Sequence, residues 1–427
     1  MATYYVSKAG NDAYTGLSGS GKLTIGAALT VATSDGDTVE IIDEASYNEG
    51  DLAINYNGIS VVHTASHLGR PKIYGTGLGG NAVSWAFKFG IISGTTIRGL
   101  ELSNYSNYIF HNSSPPQKTI NLTGSFIHDV PKLQYKAWEG NGSGDPATFN
   151  ECIMYLNHAS QTPILFDGTA CHAELRNCLI TGAVLGTLLE SYTTPTITAS
   201  YCTFINRAPT TTADPMLVIG KITNCIVSAT ANNYVGVASD DHTYNLVQCR
   251  TAPFRDQADT SDTAAGPNEI TGTVSVPINP LFVDGTAIGS SVSIAANYQL
   301  QETSPAVGYA NPMGILFDLT GNARPEGGPP GSETNPDMGC FEYPFAPPTP
   351  SPWNPYSTQS SPNFGGDFTI NRYQNLTSNY KLTTSSSPGQ VPFSLGPKGP
   401  GTLRGRLGAY GVSKGGDPST IIQTSSA

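Results

Sequence analysis

The chain has 427 residues and a formal net charge of −11, and only 12% of its residues are charged. An acidic chain with few basic side chains is a poor nucleic-acid binder, because neutralising phosphates needs clustered lysine and arginine. The low charge, 47 glycines and 31 prolines also argue against a protein built mainly from exposed amphipathic helices and favour strands joined by tight turns.

Residues 1–38 predict a cap for one end of a repeat fold. Apolar residues recur at helical spacing in residues 24–34, Thr24 is a predicted N-cap, and the SDGD sequence at 34–37 ends the helix. We expect this helix to cover strand edges that would otherwise pair with other chains. The opening MATYYVSKAGND predicts no export signal, and no apolar window of about 18 residues predicts a membrane span.

Residues 39–343 repeat at a spacing that is typical of solenoids. Five cysteines follow one another at intervals of 26, 24, 23 and 24 residues: Cys152, Cys178, Cys202, Cys225 and Cys249. Equivalent residues of a parallel β-helix stack about 4.8 Å apart, and free cysteine is among the most buried residue types. We therefore predict an all-β fold, a right-handed single-stranded parallel β-helix, with these cysteines as a ladder of free thiols in its core.

The composition changes after residue 343. Residues 344–366 are rich in proline and predict a stiff linker, and residues 367–427 predict an extended tail. Residues 344–427 contain six basic and two acidic side chains, whereas residues 1–343 contain 15 and 30. The tail is expected to attach to an acidic surface, although a solvated, flexible end is the alternative. The predicted attachment contacts are Arg372, Arg404 and Arg406.

Both ends of the repeat region carry motifs of a known superfamily. The motifs are YYVS at 4–7, GND at 10–12, GDTV at 36–39, NPLFVD at 279–284, SPAVG at 304–308 and PDMGCFEY at 336–343. In these segments the chain resembles the pectate-lyase-like β-helix proteins, with an N-terminal module and a C-terminal closing module. The resemblance implies the fold but not the function, because the superfamily includes polysaccharide lyases, hydrolases, surface adhesins and phage tailspikes.

Enzymes of that superfamily are expected to bind Ca²⁺ through several acidic residues and to use Arg or Lys as a base, or to use clustered Asp residues. This sequence shows no convincing equivalent, so no cofactor or metal site is predicted and Ca²⁺ is not indicated. The candidates for acid–base chemistry are His128 with Asp129, and Asp240 with Asp241. The first pair could instead cap a corner between strands, and the second could close a turn.

Four aromatic residues in longer insertions are candidate glycan contacts: Tyr105, Tyr108, Tyr135 and Trp138. Exposed amphipathic rings can stack on sugars, but these rings could equally pack the insertions against the rod.

The function expected from these features is that of a structural phage virion protein, a capsid-decoration or spike subunit on the virion surface. Its β-helix would be displayed outward, with cell-surface polysaccharide as a further partner, and residues 344–427 would bind capsid or tail proteins. The alternatives are a polysaccharide lyase or glycoside hydrolase, and an extracellular or cell-surface bacterial adhesin. Neither a nucleic acid nor a membrane is an expected partner. Further copies of the same chain, in a homo-oligomer, are an additional candidate partner.

Overall fold

The computed structural model describes residues 1–63, 69–75, 85–90, 94–105, 108–112, 120–129, 133–135, 147–156, 164–166, 172–184, 186–191, 196–208, 214–229, 232, 234–237, 242–249, 254–256, 265–271, 278–286, 294–325, 334–343, 380–384 and 393–397. The chain divides into two compact units, Met1–Thr349 and Pro350–Ala427.

The first unit is a parallel β-solenoid, which confirms the predicted fold class. Two sheets of ten strands each run along it. The first, here called the open sheet, contains β1 (Thr3–Val6), β2 (Thr38–Ile41), β5 (Ser60–His63), β8 (Thr95–Arg98), β11 (Ile120–Thr123), β14 (Ala147–Asn150), β17 (His172–Arg176), β20 (Thr196–Ser200), β23 (Lys221–Thr223) and β26 (His242–Thr243). The second, here called the covered sheet, contains β3 (Ser46–Asn48), β6 (Lys72–Tyr74), β9 (Glu101–Ser103), β12 (Phe126–His128), β15 (Ile153–Leu156), β18 (Leu179–Gly182), β21 (Thr203–Asn206), β24 (Ile226–Ala229), β27 (Leu246–Gln248) and β29 (Ile270–Thr271).

Two further sheets complete the solenoid. A three-stranded sheet contains β4 (Leu52–Ile54), β7 (Trp85–Phe89) and β10 (Tyr108–Asn112). A six-stranded sheet contains β13 (Leu133–Tyr135), β16 (Ile164–Phe166), β19 (Leu189–Ser191), β22 (Leu217–Ile219), β25 (Val235–Val237) and β28 (Phe254–Asp256). The two described helices are α1 (Ile25–Val31) and α2 (Ile294–Asn297).

Strands of neighbouring coils pair in register, so equivalent side chains stack inside the solenoid. In the open sheet the inward ladder is Val39, Val61, Ile97, Leu122, Phe149, Leu175, Ala199 and Ile222. All of these side chains are buried. Successive residues of a strand point to opposite faces, and the intervening outward residues are mostly polar. This alternation is why one side of each strand enters the core.

The N-terminal end forms as predicted, with one difference. Thr24 is the N-cap of α1, and its hydroxyl accepts a hydrogen bond of 3.2 Å from the Ala27 amide. Ile25 and Ala28 are buried against the solenoid. The difference is that β1 already pairs in parallel with β2, so the stacking of strands begins before residue 39. Residues 7–37 form one long connection between these two strands, and this length hides the repeat in the sequence.

The corner between the open and covered sheets is a stack of residues with positive φ. Its members are Gly99, Gly124, Glu151, Asn177, Tyr201, Asn224 and Tyr244, with φ between 51° and 72°. Glycine and asparagine adopt this left-handed geometry more readily than other residues. At each of these positions the chain turns from a strand of the open sheet into the next strand of the covered sheet.

The cysteine ladder lies immediately inside this corner. Cys152, Cys178, Cys202 and Cys225 each follow a corner residue, and all four are fully buried, free thiols, as predicted. Burial raises the pKa of the Cys152, Cys178 and Cys202 thiols.

Cys249 is not part of this ladder, so the prediction for that residue is wrong. The strands that contain Ile226 and Leu246 pair in register, which places Asn245 above Cys225. Asn245 Oδ1 accepts a 2.9 Å hydrogen bond from the Cys225 amide. The coil from Cys225 to Asn245 spans only 20 residues, so Cys249 falls after β27 and not at the ladder position. Cys249 is a free thiol. The 24-residue interval between Cys225 and Cys249 therefore matches the repeat in the sequence, although the two cysteines do not occupy equivalent positions in the structure.

The described residues between 278 and 343, here called the C-terminal module, lie along the outer face of the covered sheet instead of across the end of the solenoid. An apolar cluster joins Leu179, Ile226 and Leu246 of this sheet to Tyr298 and Met338 of the module. As a result, all four residues of β15, β18, β21 and β24 are buried. The core of the solenoid covers the inner face of these strands, and the module covers their outer face.

Two arginines, the half-buried Arg207 and the buried Arg324, fasten the module to the solenoid. Arg207, which follows β21, donates from Nε to Gly285 O at 2.6 Å and from Nη1 to Ser228 O at 3.0 Å. Arg324 of the module donates from Nη2 to Asn177 Oδ1 at 2.9 Å, and its guanidinium lies 4.1 Å from the centroid of the Tyr201 ring. Burial lowers the pKa of Arg207.

The second unit is described only by β30 (Tyr380–Thr384) and β31 (Phe393–Pro397), which pair as an antiparallel hairpin. The predicted linker at 344–366 and the attachment residues Arg372, Arg404 and Arg406 lie outside the described residues.

Candidate functional site

The covered sheet carries a charged cluster close to the N-terminal end of the solenoid, here called the His128 cluster: Lys72, Glu101, His128 and Asp129. Lys72 and Glu101 lie at paired positions of β6 and β9, and His128 is the last residue of β12. Lys72 Nζ is 3.2 Å from Glu101 Oε1, and the same oxygen is 3.0 Å from His128 Nε2. His128 Nδ1 lies 2.7 Å from Asp129 Oδ2.

Local geometry fixes the histidine ring between the two carboxylates. Asp129 has a φ of 51°, and this turn brings its carboxylate against the preceding ring. The ring of Phe126 stacks on the His128 ring with a centroid separation of 4.4 Å. The hydrogen bond from His128, with a further contribution from Lys72, holds the pKa of Glu101 below its usual value although burial opposes this shift.

The arrangement of the cluster limits the chemistry that His128 can perform. Both ring nitrogens face carboxylate oxygens, and only a ring that is protonated at both positions donates to both of them. Such a ring has no free lone pair and cannot act as a general base in this state. His128 is the last residue of β12, and its side chain is only 5% exposed. A corner pair describes this geometry better than a catalytic pair.

Lys72 and Glu101 were missed as members of the cluster. They lie 56 and 27 residues before His128 in the chain, and only the strand register brings the three side chains together. The available signal was that Glu101 and His128 are strand residues one coil apart, but coil lengths vary too much to align them from sequence alone.

The second predicted pair, Asp240 and Asp241, lies outside the described residues. The adjacent His242 is buried at the inner face of the last strand of the open sheet, and its Nδ1 lies 2.9 Å from Glu269 Oε2. Glu269 also accepts a 2.9 Å hydrogen bond from Asn245 Nδ2, and the Phe254 ring stacks on the His242 ring at 4.1 Å. With exposures of 1% and 0%, the side chains of His242 and Glu269 are structural groups that no substrate can reach.

The predicted glycan contacts are only partly described. Tyr105 was expected to be exposed, but its side chain is buried and its hydroxyl donates a 2.9 Å hydrogen bond to Glu49 O. Burial also raises the pKa of Tyr105. The Tyr105 ring packs into the core cluster of the solenoid. It is therefore not available to a sugar. Tyr108 begins β10 and Tyr135 ends β13, but their side chains, and all of Trp138, lie outside the described structure.

The outer face of the open sheet presents ordered rows of polar side chains. Its outward residues in β11, β14, β17 and β20 are half-buried or exposed and stack in two rows. One row contains Asn121, Thr148, Glu174 and Thr198, and the other contains Thr123, Asn150, Arg176 and Ser200. Thr148 Oγ1 donates to Asn121 Oδ1 at 2.6 Å, and Arg176 forms an ion pair with Glu174. Short hydroxyl and amide groups at regular spacing can hydrogen-bond a polyhydroxylated ligand.

No group of three or more His, Cys, Asp or Glu side chains is placed to hold a metal ion within the described ranges. Neither described helix has the length and apolar character needed to span a membrane.

Comparison with protein-family models finds no match to this chain, and comparison with curated proteins finds no relative.

Proposed function

We propose that the protein is a structural protein of a phage virion, a capsid-decoration or spike subunit of the pectate-lyase-like superfamily. In this proposal the β-helix is displayed outward and residues 344–427 attach it to capsid or tail proteins. The observation that carries the proposal is the difference between the two long faces of the solenoid. One face is covered by the chain's own C-terminal module, and the other presents regular rows of short polar side chains.

The open sheet is the part of the solenoid that suits contact with a cell-surface glycan. Its rows offer hydroxyl, amide and charged groups at the spacing of successive strands, about 4.8 Å. Such groups replace the water that hydrates a sugar chain, and they are held on strands and not on loops. A rigid surface of this kind loses little conformational entropy when it binds.

Attachment is assigned to residues 344–427 on the basis of charge and position. Six basic and two acidic side chains in this segment contrast with the acidic remainder of the chain. An acidic protein lattice would attract such a segment, and the attraction would weaken with salt.

The experiment that tests this function is electron cryo-microscopy of purified phage particles from the source. We expect solenoid density on the particle surface, with the segment after residue 343 ordered against its neighbours. In a binding assay on particles that lack the protein, the triple variant Arg372→Gln, Arg404→Gln and Arg406→Gln should bind more weakly than the wild type. The matched control is Lys88→Gln, Arg98→Gln and Lys221→Gln, which removes the same charge from the solenoid. Absence of the protein from particles would refute the proposal.

A polysaccharide lyase or hydrolase is the second candidate, and one observation favours it. Glu101 and Asp129 hold opposite sides of one histidine ring, and their side chains remain 24% and 42% exposed. If the protein is an enzyme of this class, the full chain should release reducing ends or unsaturated sugars from a polysaccharide panel. Glu101→Gln should abolish that release, and Glu174→Gln, on the open sheet, should not. Detection of the protein on bacterial cells and not on particles would instead favour the adhesin alternative.

A further inference from the structure

Four large apolar side chains are exposed within nine residues of the C-terminal module. They are Tyr309, Met313, Leu316 and Phe317, with exposures of 37%, 47%, 58% and 49%, and they are called the apolar patch below. Residues 309–317 include no charged residue, although the chain has a net charge of −11. Contiguous exposed apolar groups of this kind commonly mark an interaction surface.

Hydrogen bonds to the solenoid hold the backbone of this segment in place. Asn311 O accepts from Tyr201 Oη at 2.7 Å and from Asn224 Nδ2 at 2.6 Å, and the Asn311 amide donates to Asn224 Oδ1 at 2.8 Å. Phe317 O accepts from Asn177 Nδ2 at 2.9 Å. The patch is therefore presented in a fixed conformation, which lowers the entropy cost of binding.

These contacts also place the apolar patch at the border of the open sheet. Asn177 is a corner residue that directly follows β17, whose outward residues are Glu174 and Arg176. These two side chains form an ion pair in which Arg176 is 54% and Glu174 is 30% exposed. An uncharged apolar surface thus adjoins a rim that carries one charge of each sign.

We propose that the apolar patch is the surface through which a second copy of this chain packs against the first. Two acidic copies repel each other over most of their surface, and the repulsion is least where the surface is uncharged. A two-fold contact is self-complementary, because the same residues face each other in both directions. A two-fold contact can therefore place Arg176 of one copy opposite Glu174 of the other. A partner whose surface carries charges of only one sign could not pair with both residues.

The available area fits this partner when the open sheet contributes. The four side chains expose on the order of 400 Å² if a fully exposed one presents about 200 Å². A stable interface buries about 800 Å² on each partner and has an apolar centre with a polar rim. The neighbouring Thr198 and Ser200 rows of the open sheet supply such a rim.

The test is sedimentation velocity of the purified full chain over a wide range of concentration. We expect a species with a multiple of the mass of one chain. The double variant Leu316→Ser and Phe317→Ser should raise the dissociation constant at least about 30-fold, the loss typical of an interface hot spot. Ile42→Ser removes a similarly exposed apolar side chain, 55% exposed directly after β2, and should leave association unchanged.

Charge exchange supplies a second measurement that does not depend on the apolar variant. Glu174→Arg and Arg176→Glu should each weaken association, and the two combined should restore it because opposite charges again face each other. A wild type that sediments as a single chain throughout overturns the proposal, as does an oligomer that the double variant leaves intact. If the wild type is a single chain and the double variant loses binding to a polysaccharide panel, the patch is a glycan site. None of these outcomes depends on whether the protein belongs to a virion.

Discussion

The open and covered sheets enclose the same core but differ in their outer faces. In β14 of the open sheet, Ala147 and Phe149 are buried while Thr148 and Asn150 are half-buried. In β15, the next strand of the covered sheet, all four residues are buried. Alternation of apolar and polar residues thus identifies only a strand with one solvated face, whereas a strand covered on both faces shows no such alternation.

The covered sheet depends on long-range polar contacts that the open sheet does not need. The module brings buried polar groups onto an apolar surface, and each such group must be paired to avoid a large desolvation cost. Arg324 pairs with Glu342, and the Cys340 amide donates to Thr203 Oγ1 at 3.0 Å. The outward polar groups of β11, β14, β17 and β20 in the open sheet are half-buried or exposed and are free of this constraint. The two sheets should therefore respond very differently to substitution.

The largest expected difference concerns two arginines. Arg324→Ala should lower the free energy of unfolding by about 3 to 5 kcal/mol, because it leaves Glu342 and Asn177 Oδ1 buried without their hydrogen-bond donor. Arg176→Ala, on the open sheet, should change it by less than about 1 kcal/mol, as is usual for an exposed ion pair. Equilibrium denaturation in urea measures both. Equal losses would show that the module contributes little to the stability of the solenoid.

A comparison of outward side chains sharpens the contrast without involving charge. Leu179→Ala removes a buried side chain between the covered sheet and the module and should cost about 2 to 5 kcal/mol. Thr198→Ala, at the outer face of the open sheet, should stay within about 0.5 kcal/mol. Hydrogen exchange of the native protein should also show faster exchange in β18 and β21 for Leu179→Ala only. A similar cost for Thr198→Ala would indicate that the open sheet is covered too.

Stability should depend on pH through the module. Burial raises the pKa of Asp337 to about 6 and that of Glu342 to about 8, against the attraction of Arg324. The native state therefore binds protons more tightly than the unfolded state, and this contribution is complete below about pH 4 and is lost as the pH rises through 6 towards 8. Thermal unfolding from pH 4 to 9 should show this decline.

The control variants for the pH experiment come from both sheets. Glu342→Gln should flatten the profile, since it removes the carboxyl with the larger shift, and Glu174→Gln on the open sheet should preserve it. A midpoint that rises between pH 5 and pH 8 in the wild type would contradict the predicted sign.

The smallest effect is expected at the corner between the sheets. Glu151 adopts a φ of 54°, a conformation that asparagine tolerates better than glutamate. Glu151→Asn should therefore raise the free energy of unfolding by about 0.5 kcal/mol. Asn177→Ala, at the equivalent corner position, should lower it, because Asn177 also bonds Arg324 and Phe317 of the module. Urea denaturation measures both, and a destabilised Glu151→Asn would show that the Glu151 side chain has a specific role.

Much of the solenoid was predictable because its determinants are local. The Thr24 cap and the buried thiols at Cys152 to Cys225 follow from spacing and side-chain size. Cys249 shows the limit of this reasoning, since a shortened coil moved Asn245 into the expected cysteine position. Variable coil length also made the His128 cluster only half predictable. Asp129 is adjacent to His128 in sequence, whereas the strand register brings Glu101 next to it.

The sequence by itself determined the all-β solenoid and its ladder of free cysteines, because turn preference and side-chain alternation act over a few residues and repeat along the chain. Only the tertiary structure decided which sheet is covered, that Tyr105 is buried and that Arg324 pairs with Asn177. Arg324 and Asn177 are 147 residues apart, and Cys340 and Thr203 are 137 apart. Contacts at such separations depend on the register of every intervening coil, and coil length varies in a way that no local pattern specifies.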